Sequence, residues 1–250
     1  TNSTAATLDA LAKTGFKELQ YSGEGNRTYY GQKPAELRKM LDDTPISVPI
    51  GQANLKKHHW LSNEKAVTDD WKIIMDNALT VGQEYLVSSE FDWDLTKPDQ
   101  TQKGIEIYNR VGELMEEAGL RLIFSPKARE FTAKRQGRLV YDFLLEGMDS
   151  LYVGQQLDLA LLASLGQDPV TWMRKNPHQF ESLLVQDYAG AAGPTPSLGK
   201  GTLPLDDILA FARKNTPVKY WVIKSDPPAD ASLWKALGDD LQRFRQYGFI

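Results

Sequence analysis

The sequence predicts an α/β protein built on parallel strands, on three observations. Helical and strand-like hydrophobic patterns alternate from one end of the chain to the other. The length, 250 residues, is that of a typical (β/α)8 TIM-type barrel. No low-complexity linker or change of composition divides the chain, so one α/β domain over residues 1–250 is expected. An open seven-stranded sheet fits the same alternation.

Each element has a local reason. Residues 5–14 read as a helix closed by Gly15, and 16–22 as a strand. Pro34 opens a helix over 34–43, because proline fits the first helical turn, and a strand follows over 46–52. A long amphipathic helix over 65–81 stops at Gly82 before a strand over 84–89. A helix over 101–118 stops at Gly119 before a strand over 120–125. A short helix over 140–146 leads to a strand over 152–159, and a helix opened by Pro169 leads to one over 182–186. Pro204 opens the helix before the strand over 219–225, and a helix over 232–247 closes the pattern. The chain opens on a helix, so the first strand of a barrel is missing or replaced, the Phe249-Ile250 tail being one candidate for the gap.

Composition narrows the function. A net charge of −4 without a basic stripe predicts no nucleic-acid partner. No apolar run reaches the roughly 18 residues of a spanning helix, and no polybasic stretch marks a membrane surface. The start of the chain has no signal-peptide character, and zero cysteines excludes disulfides and thiolate metal sites, so a cytoplasmic location is expected. A small-molecule substrate is the expected partner, with a homodimer as a further expectation. Three histidines leave no credible Ser-His-Asp set, and His58-His59 reads as a solvated pair in a loop.

Several strings carry a resemblance. They are Gly31-Gln32-Lys33-Pro34-Ala35-Glu36-Leu37, Gly119-Leu120-Arg121 leading to Arg129-Glu130-Phe131, Leu157-Asp158-Leu159 and Gly166-Gln167-Asp168-Pro169-Val170. Gln186-Asp187, Gly199-Lys200-Gly201-Thr202 and Ser225-Asp226-Pro227-Pro228-Ala229-Asp230 complete the set. Together they resemble the sugar phosphate isomerase/epimerase family of xylose-isomerase-like barrels. The resemblance implies a (β/α)8 barrel with a divalent metal held by carboxylates and a histidine at the C-terminal strand ends. This chain departs from that pattern. Where the family has histidines and acids it carries Phe124-Ser125-Pro126-Lys127, Gln156-Leu157-Asp158, Leu184-Val185-Gln186-Asp187 and Lys224. The departures predict a lost metal site and no cofactor. Their concentration at strand ends, with scaffold strings kept, reads as redesign of a natural barrel.

Lys224 ends the apolar run Tyr220-Trp221-Val222-Ile223, and strand ends carry the chemistry of such folds. Alternation of side chains then groups Asp158 with Gln156 and Ala160, Leu184 with Gln186, Lys127 with Ser125, Glu90 with Ser88, and Gln52 with Ile50. Lys224 has three readings: a Schiff-base amine desolvated by Val222, Trp221 and Leu184, a hydrogen-bond donor to an oxyanion, or a structural ion pair with Asp158 or Glu130. Glu90 reads as a general base in apolar surroundings or as a loop-edge acid, and Lys127 as a site residue or a solvent-facing one. The expected enzyme is a metal-independent lyase or isomerase. Lys224 is its retro-aldol amine, and Asp158 and Glu90 shuttle protons. Alternatives are carboxylate-base proton abstraction of the Kemp-elimination type, a metal-dependent sugar phosphate isomerase or epimerase, and a non-catalytic small-molecule-binding barrel. Gly199-Lys200-Gly201 also raises a phosphate cradle, against an ordinary loop.

Overall fold

A computed structural model of the chain describes residues 3–21, 28–190, 195–224 and 233–248. The elements run α1 (Thr4–Thr14), β1 (Glu18–Gln20), α2 (Pro34–Asp42), β2 (Ser47–Gln52), α3 (Asp69–Val81), β3 (Tyr85–Ser88), α4 (Pro98–Glu117) and β4 (Arg121–Phe124). They continue with α5 (Ala128–Thr132), α6 (Val140–Gly147), β5 (Val153–Asp158), α7 (Leu159–Ser164), α8 (Pro169–Lys175), β6 (Phe180–Val185), α9 (Leu205–Asn215), β7 (Tyr220–Ile223) and α10 (Leu233–Gln246). The seven strands form one sheet in strictly sequential order from β1 to β7. Doubly wound sheets reverse order at a switch point, whereas a barrel winds one way. The strand order is therefore that of the (β/α)8 class and disposes of the open-sheet alternative. Phe249 and Ile250 lie outside the described residues, as does 225–230. Among the described residues no helix is long and apolar enough to cross a membrane.

Two compact units divide the chain, residues 18–155 and residues 1–17 with 156–250. In the 18–155 unit, parallel pairing runs Ile50–Tyr85, Val87–Ile123 and Ile123–Gly154. Its core is aromatic. Phe91, Trp93, Tyr108 and Phe124 are buried, with ring centroids 5.2–5.9 Å apart for Phe91–Trp93, Phe91–Tyr108, Trp93–Tyr108 and Tyr108–Phe124. Tyr108 lies on α4, so Phe124 and Ser88, which bonds the Tyr108 hydroxyl at 2.7 Å, face the helices. Gln155 does too, accepting from Tyr141 of α6 at 3.1 Å. Alternation then sends Val87, Ile123 and Ser125 to the other face. Ser88 thus lies opposite to the face expected for it.

In the 1–17 and 156–250 unit, β6 and β7 pair in parallel from Ser182–Tyr220 to Val185–Ile223. Leu183, Val185, Leu209 and Ala212 are buried in its core. Two helices were not foreseen. The strand expected over 152–159 ends one residue early, because the Asp158 carboxylate accepts from the Leu161 N–H at 3.0 Å and starts α7. Likewise Glu130 reaches back to the Lys127 N–H at 3.0 Å and starts α5.

Helix α4 crosses close to the entrance of β5 at Gly112, where a Cβ would lie 2.5 Å from the Tyr152 carbonyl oxygen. Alanine is the better helix former by about 1 kcal/mol. The backbone contact outweighs that gain, so Gly112→Ala is expected to cost about 2 kcal/mol net and lower Tm by about 5 °C in a thermal melt. An unchanged or raised Tm would show that α4 can move away.

Candidate functional site

The sequence-predicted groups that come together belong to β5, β6 and β7. Gln156 faces away from Gln155 and donates from Nε2 to Ser182 Oγ at 2.9 Å. Asp158, Leu184, Gln186, Val222 and Lys224 follow on the same face by alternation. The Lys224 N–H bonds the Val185 carbonyl at 3.0 Å, carrying the β6–β7 ladder one residue past β7. Its ammonium Nζ lies 3.0 Å from Asp158 Oδ2. Asp158 is therefore bonded at both oxygens, to Lys224 and to the Leu161 N–H. The lysine side chain is 40% exposed and that of Asp158 11%. Gln156 and Gln186 are buried, and Gln186 Nε2 donates to Thr195 Oγ1 at 3.3 Å. Leu184 and Val222 are half-buried beside the pair.

Two residues expected on this face stand elsewhere. Ala160 is on α7 rather than on the strand, since the cap at Asp158 ends the pleat there. Trp221 lies between Tyr220 and Val222 on β7, and alternation turns it to the opposite face from Lys224. It cannot supply the desolvation expected of it.

In the 18–155 unit, Gln52 Nε2 donates to Ser89 Oγ at 3.3 Å, and Ser125 is buried at the end of β4. Of the two readings of Glu90, the surroundings match the loop-edge acid and not the apolar one. Its side chain is 54% exposed and stands 3.6 Å from the Lys56 ammonium. The side chain of Lys127 is exposed at the cap of α5. Glu130 is buried, bonded to the Lys127 N–H and, at 2.9 Å, to Arg129 Nε. His59 is buried rather than solvated. Its Nδ1 accepts from the Lys56 N–H at 3.1 Å and its ring lies 5.0 Å from Trp71.

Sequence reasoning missed the role of Asp187. This buried carboxylate accepts four backbone N–H groups: Tyr188 at 2.8 Å, Gly199 and Gly201 at 2.9 Å each, and Leu203 at 3.2 Å. A Cβ on Gly201 would lie 2.2 Å from Asp187 Oδ1, so glycine is required for the close approach. The glycine donors of a phosphate cradle are thus taken by the chain's own carboxylate. The pairing of Gln186-Asp187 with a downstream Gly-Lys-Gly was the available signal.

Among the described residues no three His, Asp or Glu side chains gather as metal ligands. Glu130, Asp158 and Asp187 are each bonded to donors of this chain.

No protein-family model matches the sequence, and no curated protein matches it. Solved structures do. A sugar phosphate isomerase/epimerase from Parabacteroides distasonis matches with a TM-score of 0.77 at 19% identity, over 96% of this chain and 89% of that one. A xylose isomerase domain protein from Alicyclobacillus acidocaldarius gives 0.72 at 13%, over 99% and 94%. A 3-keto-D-glucoside 4-epimerase from E. coli gives 0.65 at 13%, over 97% and 94%. At these identities the likeness establishes the fold: the chain has the α/β, (β/α)8 TIM-type architecture of xylose isomerase-like barrels.

Two outcomes follow from these contacts. Asp187→Ala leaves four backbone N–H groups without their acceptor and is expected to cost about 3 kcal/mol, or about 10 °C in Tm. Asp187→Asn, which keeps one acceptor oxygen, should recover about half. Equal losses would mean that the charge, not the acceptor count, holds the loop. Burial, followed by the neighbouring His58, pushes His59 down from 6.5 to about 4. The unfolded chain then takes up a proton near pH 6.5 that the folded one refuses until about pH 4. Stability is full above pH 6.5 and declines as pH falls towards 4, by on the order of 2 kcal/mol. Urea melts between pH 7 and 4.5 should show this slope, and His59→Phe should flatten it.

Proposed function

We propose that the face built by Gln156, Asp158, Gln186 and Lys224 is a metal-independent site for a small hydroxy-carbonyl compound of the sugar type. Isomerase-type proton transfer is its chemistry. The Lys224 Nζ–Asp158 Oδ2 contact of 3.0 Å carries this reading. The ammonium has three N–H donors and spends one on Asp158, leaving two for a ligand oxygen. Two buried amides and a buried serine hydroxyl, each bonded to protein, surround the pair with neutral polar groups, which suits an uncharged polyol better than a phosphate. In the step proposed, the proton on the carbon next to the carbonyl passes to the remaining lone pair of Asp158 Oδ2. The C–H electron pair forms the enolate, whose oxygen accepts from Lys224.

The Schiff-base reading asks more of Lys224. An amine nucleophile must be neutral and held in apolar surroundings. Here the nitrogen faces a carboxylate and its side chain is two-fifths exposed. The solved neighbours support a sugar-type ligand, since they include proteins described as a D-psicose 3-epimerase and a 3-keto-D-glucoside 4-epimerase.

The test is deuterium wash-in from D2O at the carbon next to the carbonyl of ketoses and aldoses, followed by NMR with chelator present. The wild type is expected to exchange at least one sugar, and Lys224→Met to lose about 100-fold. Exchange abolished by chelator and untouched by Lys224→Met would sink the proposal. Borohydride trapping with a β-hydroxy ketone is expected to leave Lys224 unmodified. An adduct absent from Lys224→Met would return the amine mechanism.

A further inference from the structure

We infer that the Lys224 ammonium is a built-in cation in the place of the divalent metal that the resemblance implies, so that this strand-end face excludes a metal ion instead of merely lacking one. The inference rests on the reading of the same face as a small-molecule site, and deepens it.

The donor set does not fit a metal. A divalent cation of the Mg²⁺ or Mn²⁺ kind needs several hard oxygen donors, with anionic ones among them. Among the described residues this face offers one carboxylate, and both its oxygens are bonded, Oδ1 to the Leu161 N–H and Oδ2 to Lys224 Nζ, each at 3.0 Å. The other buried polar groups are uncharged and bonded to protein: Gln156 to Ser182 and Gln186 to Thr195. Asp187, next in sequence to Gln186, has its oxygens committed to four backbone N–H groups. A metal approaching Asp158 meets an ammonium already at hydrogen-bond distance and must displace it against like-charge repulsion. The resemblance expects a carboxylate where Lys224 stands, so one residue both removes a ligand and supplies the replacement charge. The tethered cation keeps the face electrically balanced against Asp158 and leaves two N–H groups for a ligand oxygen.

Metal titration of the whole chain, without any sugar, tests this. Mn²⁺ binding is followed by electron paramagnetic resonance, with circular dichroism confirming that each variant folds. The wild type and Lys224→Arg are expected to show no saturable site tighter than about 1 mM. Lys224→Glu, which exchanges the cation for a second carboxylate, is expected to bind one Mn²⁺ at least tenfold more tightly. Lys224→Met should fall between, and it carries the test if Lys224→Glu does not fold. One equivalent of Mn²⁺ on the wild type, lost in Asp158→Asn, would overturn the inference. So would folded Lys224→Glu and Lys224→Met proteins that gain nothing. Because no sugar is present, these outcomes stand apart from the exchange experiment, and either reading can fail alone.

Discussion

A carboxylate withdrawn from water must be given donors, and in this chain the strand-end carboxylates receive them from the chain itself. Asp187 takes four backbone N–H groups, Asp158 takes one and an ammonium, and Glu130 takes one and a guanidinium. Buried Asp240 likewise holds the Leu198 N–H at 2.8 Å. Each of these acids begins a helix or pins a loop, so the route of the backbone and the neutralisation of buried charge have one solution.

The Lys224–Asp158 pair differs from the others in being formed by two side chains 66 residues apart, at the ends of β5 and β7 with β6 between them. A pair with one partner 40% exposed contributes about 1 kcal/mol or less to stability. Burying uncharged side chains there would serve the fold as well. A charged pair at a strand end, flanked by bonded amides and a half-buried leucine and valine, is costly to keep for stability alone. In the function proposed, the pair presents N–H donors in a fixed direction. Asp158 is then both the first residue to cap α7 and the group that aims Lys224, which ties the geometry of the site to the start of a helix.

The fold was legible because its signals are local. Gly15 and Gly82 close their helices with φ of 103° and 90°, and Pro34 and Pro169 open theirs. Alternation placed Lys224, Asp158, Gln156 and Gln186 on one face for the same reason, since the pleat is a property of consecutive residues. What failed needed longer-range information. Glu90 stood between a base among apolar groups and a loop-edge acid, and the choice falls where the Phe91 and Trp93 rings turn into the core against Tyr108 and leave the carboxylate half exposed beside Lys56. Ser88 follows Tyr108 to the helix side, a choice fixed by a residue 20 positions away. His59 is buried by a contact with Trp71 that its loop sequence does not announce. The role of Asp187 depends on donors 12 to 16 residues downstream, so the glycines alone suggested a ligand where the chain provides its own.

A tethered ammonium and a divalent metal do different chemistry, and the difference limits what such a site can do. A metal accepts electron pairs from two substrate oxygens at once, which suits a chelating hydroxy-ketone and polarises both ends of it. An ammonium bears half the charge and acts only through N–H bonds along fixed directions. With one bond spent on Asp158, Lys224 can hold one developing oxyanion well and a second oxygen weakly. Enolisation at a single carbonyl falls within that reach. A hydride shift between two metal-bound oxygens does not, because neither oxygen would be sufficiently polarised. In the function proposed, this pair is therefore matched to proton transfer beside one carbonyl, and the neutral amides around it to ligands that carry no charge of their own.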